Sequence, residues 1–104
     1  MVSTFGLYIK NLRKLNKLTL TQLGARLLID SGALSKIENG KRPFDERKIS
    51  LLAEIFNLDI NEIKSEYFSE KIAFQLIENQ CSERTLSLAQ DKIKILKLQN
   101  FTTE

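Results

Sequence analysis

The chain has 104 residues, a formal net charge of +3 and 42% hydrophobic residues, a balance that suits one small globular domain. It contains no His and one Cys, which excludes histidine-based acid–base catalysis, Cys/His zinc sites and an internal disulfide. No apolar run approaches the roughly 20 residues that span a bilayer, and the first residues lack the pattern of a secretory signal. We therefore expect a cytoplasmic protein that has no membrane association and needs no cofactor.

The spacing of apolar residues is typical of helices from the start of the chain. Three of them recur at i, i+4 and i+7 and predict a first helix over residues 4–16. They are Phe5, Ile9 and Leu12. Thr19 with Gln22 fits a reciprocal capping box, in which each side chain binds the other residue's backbone N–H. This pair predicts a second helix over residues 20–27.

Two further helices are marked by residues that favour helix ends. Asp30 is a good N-cap for a third helix over residues 31–39, and Gly40 would end that helix. Asp45 is predicted to cap a fourth helix, for which Asn57 is a suitable left-handed end.

The last third of the chain is predicted to add two longer helices. The fifth begins at Asp59 or Asn61, and Ser69 offers a point at which it could break. Ser82 is expected to cap the last helix, whose apolar residues are spaced 3, 4 and 3 apart, as in a seam between paired helices. These residues are Leu86, Ala89, Ile93 and Leu96. Residues 92–95 alternate like a strand, but no second strand is evident to pair with them, so a helix is predicted there too.

Positive charge is concentrated in the part of the chain that holds the short helices. Residues 1–65 carry 11 Lys and Arg against 7 Asp and Glu, whereas residues 66–104 carry 5 against 6. A polyanion would therefore prefer the first segment. Solvation of helix surfaces accounts for the same charges equally well, so charge alone leaves both interpretations open.

Two short helices joined by a tight turn are the geometry that places one helix in the major groove of DNA. The stretch from Leu18 to Gly40, with Ile-Glu-Asn-Gly at its end and Lys-Arg-Pro directly after it, resembles the phage-repressor or Xre/Cro-type helix-turn-helix family. The resemblance implies an all-α fold with a five-helix lambda-repressor-like helix-turn-helix domain in residues 1–65. It leaves residues 66–104 as a C-terminal helical extension.

The resemblance also implies which residues contact double-stranded DNA. The outward side of the second helix of the motif would read bases, with Lys36 as the donor best suited to guanine O6 and N7. The base-reading set is Ser31, Gly32, Ser35 and Lys36. The phosphate-binding set is Lys17, Thr19, Thr21, Asn39, Lys41 and Arg42, in which Lys17 is included only because it lies near the start of the second helix. Arg13 and Glu38 match positions that form a partly buried salt bridge in related repressors, although two separate surface charges are the alternative.

Some residues depart from the family's pattern. Leu20 stands where Gln is usual, and Leu28 stands where Gly is frequent, which predicts either a different turn or a strained one. Gly24 replaces a typical Ala, and both are expected to be small enough for a close helix crossing. Gly32 and Ala33 leave the start of the reading helix thin, which favours readout of DNA shape over direct base contacts.

The extension is amphipathic and slightly acidic, so it is not expected to contact DNA. We expect its apolar seam to form a homodimer interface; the alternatives are that it adds to the core of its own head or that it binds a different protein. Phe68, Phe74 and Phe101 are expected to lie in a core, and Cys81 to be an incidental thiol in a turn.

Enzymatic activity is not expected, because no nucleophile and base are present with a supporting motif. Glu62, Glu66 and Glu70 share one helix face but are more typical of a solvated stripe than of a metal site. The sequence therefore predicts a sequence-specific DNA-binding transcriptional regulator that binds a two-fold operator as a homodimer. The alternative is an antitoxin-like protein whose C-terminal helices bind a protein partner.

Overall fold

The computed structural model describes residues 3–99, and within that range the chain forms α-helices and one short 3-10 turn but no strand. The helices are α1 (Phe5–Leu15), α2 (Leu20–Leu27), α3 (Ser31–Glu38), α4 (Ile49–Phe56), α5 (Ile60–Glu78) and α6 (Glu83–Leu98). The 3-10 turn, Glu46–Lys48, directly precedes α4. The all-α prediction is confirmed. None of the helices in residues 3–99 is both long and apolar enough to cross a membrane.

The chain divides into two compact units between Glu70 and Lys71, which is a point inside α5. The first unit contains α1 to α4 and the first part of α5. Each of these helices contributes to one core, so all five are fixed around the same apolar centre. The fully buried side chains are Ile9, Leu23, Leu27, Leu34, Leu52 and Ile63. Burial of each one stabilises the unit by about 1.5–3 kcal/mol.

Local capping signals explain where several helices begin. The Thr19 hydroxyl accepts a hydrogen bond from the Gln22 N–H at 3.1 Å, and Gln22 Oε1 accepts one from the Thr19 N–H at 2.9 Å, which confirms the predicted capping box. Asp45 accepts from the Arg47 N–H at 2.9 Å and so caps the 3-10 turn, not α4 itself. The break predicted at Ser69 is wrong. Its hydroxyl donates to the Glu66 carbonyl instead of capping a new helix.

Helices α1 to α5 all end in the same backbone arrangement. One of the first two residues after each helix has a positive φ. The N–H of the residue that follows it donates to the carbonyl of the residue five positions before that donor, which is the hydrogen bond of a Schellman motif. The residues with positive φ are Lys17, Leu28, Gly40, Asn57 and Gln80. Gly40 and Asn57 suit this conformation, as the sequence predicts. The other three side chains each add a cost of about 1–2 kcal/mol.

Helix α5 is joined to the start of α1 and to the segment that follows α3. The Tyr67 ring lies edge-on to Phe5, with ring centroids 5.2 Å apart, and its hydroxyl donates to the Phe44 carbonyl at 3.2 Å. Glu70 Oε1 accepts a hydrogen bond from the Phe5 N–H at 3.0 Å. Glu70 therefore binds the first turn of α1. The expectation that it belongs to a solvated stripe of glutamates is wrong for this residue.

The second unit has no buried side chain among its described residues. Every described residue of α6 is exposed, including the predicted seam. Phe74 is 55% exposed, so it does not occupy a core in the single chain, and Phe101 lies outside the described residues. Cys81 is exposed in the turn between α5 and α6.

Candidate nucleic-acid interface

Helices α2 and α3 are each eight residues long, and only three residues, Leu28 to Asp30, connect them. Asp30 accepts a hydrogen bond from the Ala33 N–H at 3.3 Å and fixes the start of α3. Leu34 and Ile37 turn one side of α3 into the core. The opposite side of α3 is therefore available to a ligand.

The predicted base-reading residues lie on this available side of α3. Their spacing at i, i+1, i+4 and i+5 places all four on one helix face. Gly32 and Lys36 are exposed, and Ser31 and Ser35 are half-buried. The face combines one cation, two hydroxyl groups and a position without a side chain, so it offers few donors for direct base contacts.

The predicted phosphate-binding residues are all exposed, and they come from the segment before α2, the first turn of α2 and the segment after α3. Thr19 has a second role, because its hydroxyl oxygen already accepts from the Gln22 N–H. Within the described chain, the N–H groups of Leu20 and Thr21 have no hydrogen-bond partner. These two groups point out of a helix N-terminus, where a phosphate is favoured.

A nearly buried ion pair joins α1 to the end of α3. Arg13 Nε donates to Glu38 Oε2 at 2.8 Å, and Arg13 Nη2 donates to Glu38 Oε1 at 3.0 Å. The side chains are 12% and 3% exposed, respectively. The hydrogen bonds to Glu38 raise the pKa of Arg13 above its usual value, against the opposing effect of burial. A third bond from Arg13 Nη1 to the Leu18 carbonyl, at 3.0 Å, extends the link to the segment before α2.

Helix α1 crosses the end of α3 at a distance that only glycine allows. A Cβ at Gly6 would overlap the Ile37 carbonyl oxygen and would lie 2.9 Å from that of Glu38. Sequence analysis missed this residue, because a glycine inside a helix does not indicate which other helix packs against it.

Gly24 in α2 is a second close approach. A Cβ there would lie 2.5 Å from the Ile29 carbonyl oxygen. The expectation that alanine would fit equally well is therefore wrong for this turn, in which the Ile29 N–H also bonds to the Gly24 carbonyl at 2.8 Å.

The backbone of Leu28 decides between the two turns that its sequence predicts. Its φ of 58° and ψ of 42° are those of the left-handed conformation that glycine would adopt at this position. The alternative of a different turn is thus wrong, and the strained turn is what the structure contains.

Two short helices joined by a three-residue turn, with an exposed polar side on the second, are the geometry of helix-turn-helix DNA-binding proteins. A family model described as Helix-turn-helix matches residues 9–63, just over half of the chain. The chain belongs to this family, of the Xre or lambda-repressor-like type.

One solved structure shares the fold over most of the chain. It is the clp gene regulator ClgR from Corynebacterium glutamicum, which is 15% identical with a TM-score of 0.53, over 94% of this chain and 92% of that one. No curated protein matches the chain significantly.

Proposed function

We propose that the protein regulates transcription by binding a two-fold DNA operator as a homodimer. The observation that carries the proposal is the arrangement of α3, whose apolar side is in the core while its polar side is available. The Arg13–Glu38 pair holds the end of this helix against α1. A helix that is fixed on one side and open on the other suits the major groove, where base edges differ from one pair to the next.

In the proposed complex, Lys36 donates to guanine and the two serines contact neighbouring bases or phosphates. Lys41 and Arg42 bind phosphates beside the groove, and the unpaired N–H groups at the start of α2 bind another. The small number of base donors on α3 supports a larger contribution from DNA shape.

The homodimer is supported by the exposed seam of α6. Leu86, Ile93 and Leu96 are each more than 40% exposed in the single chain, although they lie on one helix face. Pairing of two such faces would remove this apolar surface from water. It would also present two copies of α3 to half-sites about 34 Å apart, one helical turn of DNA.

Selection of bound duplexes from a random pool tests the proposal directly. We expect the recovered sequences to share a motif with two-fold symmetry, and sedimentation to show two chains for each duplex. A motif without symmetry, bound by one chain, would contradict the homodimer but not the DNA-binding role. Failure to enrich any sequence would overturn the proposed function.

A second face of α6 supports a second candidate function, that of a protein-binding module of the antitoxin type. Leu88, Ile95 and Leu98 are exposed and lie roughly opposite the seam, so one paired helix cannot cover both faces. Co-expression with the product of an adjacent gene tests this candidate. A stable complex that is lost on Ile95→Glu but kept on Ile93→Glu would favour it.

A further inference from the structure

Lys48 is bound to the turn of the helix-turn-helix motif. Its Nζ donates to the carbonyl oxygen of Leu27 at 2.9 Å and to that of Leu28 at 3.0 Å. Twenty residues separate it from Leu28 in the sequence, where it counts only as one of several basic residues in the positively charged segment. The structure instead shows its ammonium group engaged with the protein's own backbone.

A cation is favourable at this turn for two physical reasons. The carbonyls of Gly24 and Ala25 are already used by the N–H groups of Ile29 and Leu28, at 2.8 and 3.3 Å, whereas those of Leu27 and Leu28 lie beyond the intrahelical bonds. An ammonium group at a helix C-terminus also meets the partial negative charge of the helix dipole.

The same bonds stabilise a backbone conformation that leucine disfavours. Leu28 has a φ of 58°, and its side chain is 79% exposed, so packing does not hold it there. Its carbonyl, bound by Lys48, belongs to the peptide that leads into Ile29 and Asp30. Because α3 begins at the next residue, the direction of this peptide sets the direction of the reading helix.

Lys48 also joins the turn to a different part of the core. It is the last residue of the 3-10 turn that leads into α4, and Ile49 and Leu52 of α4 are buried. Between the turn, α3 and the segment that ends at Lys48 lies an open depression of about 310 Å³. Leu28 and Lys48 both line this depression, and the hydrogen bond between them links the turn to the segment that leads into α4.

We propose that Lys48 is a positioning residue for α3: it holds Leu28 in the left-handed conformation and thereby fixes the angle at which α3 meets the major groove. It is not a phosphate ligand, although its charge would suggest one. The inference rests on the proposed DNA-binding function and adds a residue that acts through the turn.

The test uses Lys48→Met in the full chain, with operator affinity measured at several salt concentrations. We expect operator affinity to fall about tenfold, because DNA binding must then hold the turn in the conformation that the two Lys48 bonds otherwise stabilise. We expect the dependence of affinity on salt to keep the slope of the unmodified protein. Arg42→Ala is the matched control, because loss of a phosphate contact lowers that slope by about one unit.

Two further variants separate positioning from general stability. Leu28→Gly in the Lys48→Met background should restore affinity, because glycine adopts the left-handed conformation without support. Lys48→Arg should retain affinity, because it keeps a cationic donor. Circular dichroism at the assay temperature checks that each variant is folded; if Lys48→Met is not, Lys48→Gln takes its place.

Each contrary outcome has a definite meaning. Unchanged affinity in the folded Lys48→Met protein, a lower salt slope, or no recovery with Leu28→Gly would each overturn the positioning role while leaving the proposed function intact. An unmodified protein that binds no duplex would overturn both.

Discussion

Arg13 and Glu38 form a bidentate ion pair in which the carboxylate side chain is only 3% exposed. Removal of the cation would leave a buried negative charge without a partner, and this is much more costly than loss of the pair as a whole. We therefore expect Arg13→Met to lower the free energy of unfolding by about 3 kcal/mol, measured by urea denaturation. Arg47→Met is the matched control, because it breaks the exposed Arg47–Asp45 pair. Similar losses in the two variants would show that the Arg13–Glu38 pair is not shielded from water.

Leu28 and Leu15 provide a matched test of backbone strain. Both side chains are 79% exposed and both lie at a helix end, but Leu28 has a positive φ whereas Leu15 is the last residue of α1. Leu28→Gly should raise the free energy of unfolding by about 1 kcal/mol, because the strain is larger than the added flexibility of the unfolded chain. Leu15→Gly should lower it by about 1 kcal/mol. Thermal unfolding of both proteins measures the difference, and changes of the same sign would contradict the strained turn.

Gly6 should resist the substitution that stabilises most helices. Gly6→Ala places a Cβ against the Ile37 carbonyl, so we expect a loss of about 1–3 kcal/mol despite the better helix propensity of alanine. Gly32→Ala is the control, since its Cβ would meet a side-chain oxygen, Asp30 Oδ2 at 3.1 Å, and not a backbone carbonyl. We expect a smaller change there, because the better helix propensity of alanine offsets the displacement of that capping carboxylate. Chemical denaturation measures the free energy of unfolding of both variants. A Gly6→Ala protein more stable than the unmodified one would refute the close crossing of α1 and α3.

Lys36 and Arg42 should differ in what they contribute to DNA binding. Lys36→Ala is expected to weaken operator binding by about 1–3 kcal/mol while it changes binding to random DNA little, because a base contact is lost. Arg42→Ala should weaken binding to all DNA and lower the salt slope by about one unit. Fluorescence anisotropy with operator and random duplexes measures both effects. An equal loss of affinity for the two duplexes with Lys36→Ala would remove it from the base-reading set.

Ile93 and Ile95 test the predicted dimer interface. They are 51% and 52% exposed, but only Ile93 lies in the seam with Leu86 and Leu96. Ile93→Glu should give monomers, because two carboxylates would be buried in the paired seam, whereas Ile95→Glu should leave the dimer intact. Sedimentation of both variants decides between the faces. A dimer that survives Ile93→Glu but not Ile95→Glu would place the interface on the opposite side of α6.

Much of the fold could be predicted because its signals are local. Capping by Thr19 and Asp30, and the left-handed ends at Gly40 and Asn57, depend on side chains within three residues of the helix end. Apolar periodicity then gives the buried side of each helix. The family resemblance, now shown by the matching family model, indicated a pairing of Arg13 with Glu38 that no local pattern reveals.

The contacts that sequence analysis missed act across long separations. Lys48 binds a turn twenty residues earlier, and Tyr67 binds the carbonyl of Phe44. Neither residue type specifies such a partner, because lysine and tyrosine on a helix surface are usually solvated. Gly6 is similar, since its role depends on where α3 lies and not on its neighbours in the chain. The DNA contacts and the dimer interface stay predictions, because they require a second molecule.

The thiol of Cys81 is exposed in the turn between α5 and α6, and the sequence contains no other cysteine. A maleimide or nitroxide reagent would therefore attach to each chain at one known position. In an assembly of two copies, a pair of spin labels would report the separation of the two turns. That measurement would need neither an introduced cysteine nor the removal of a native one.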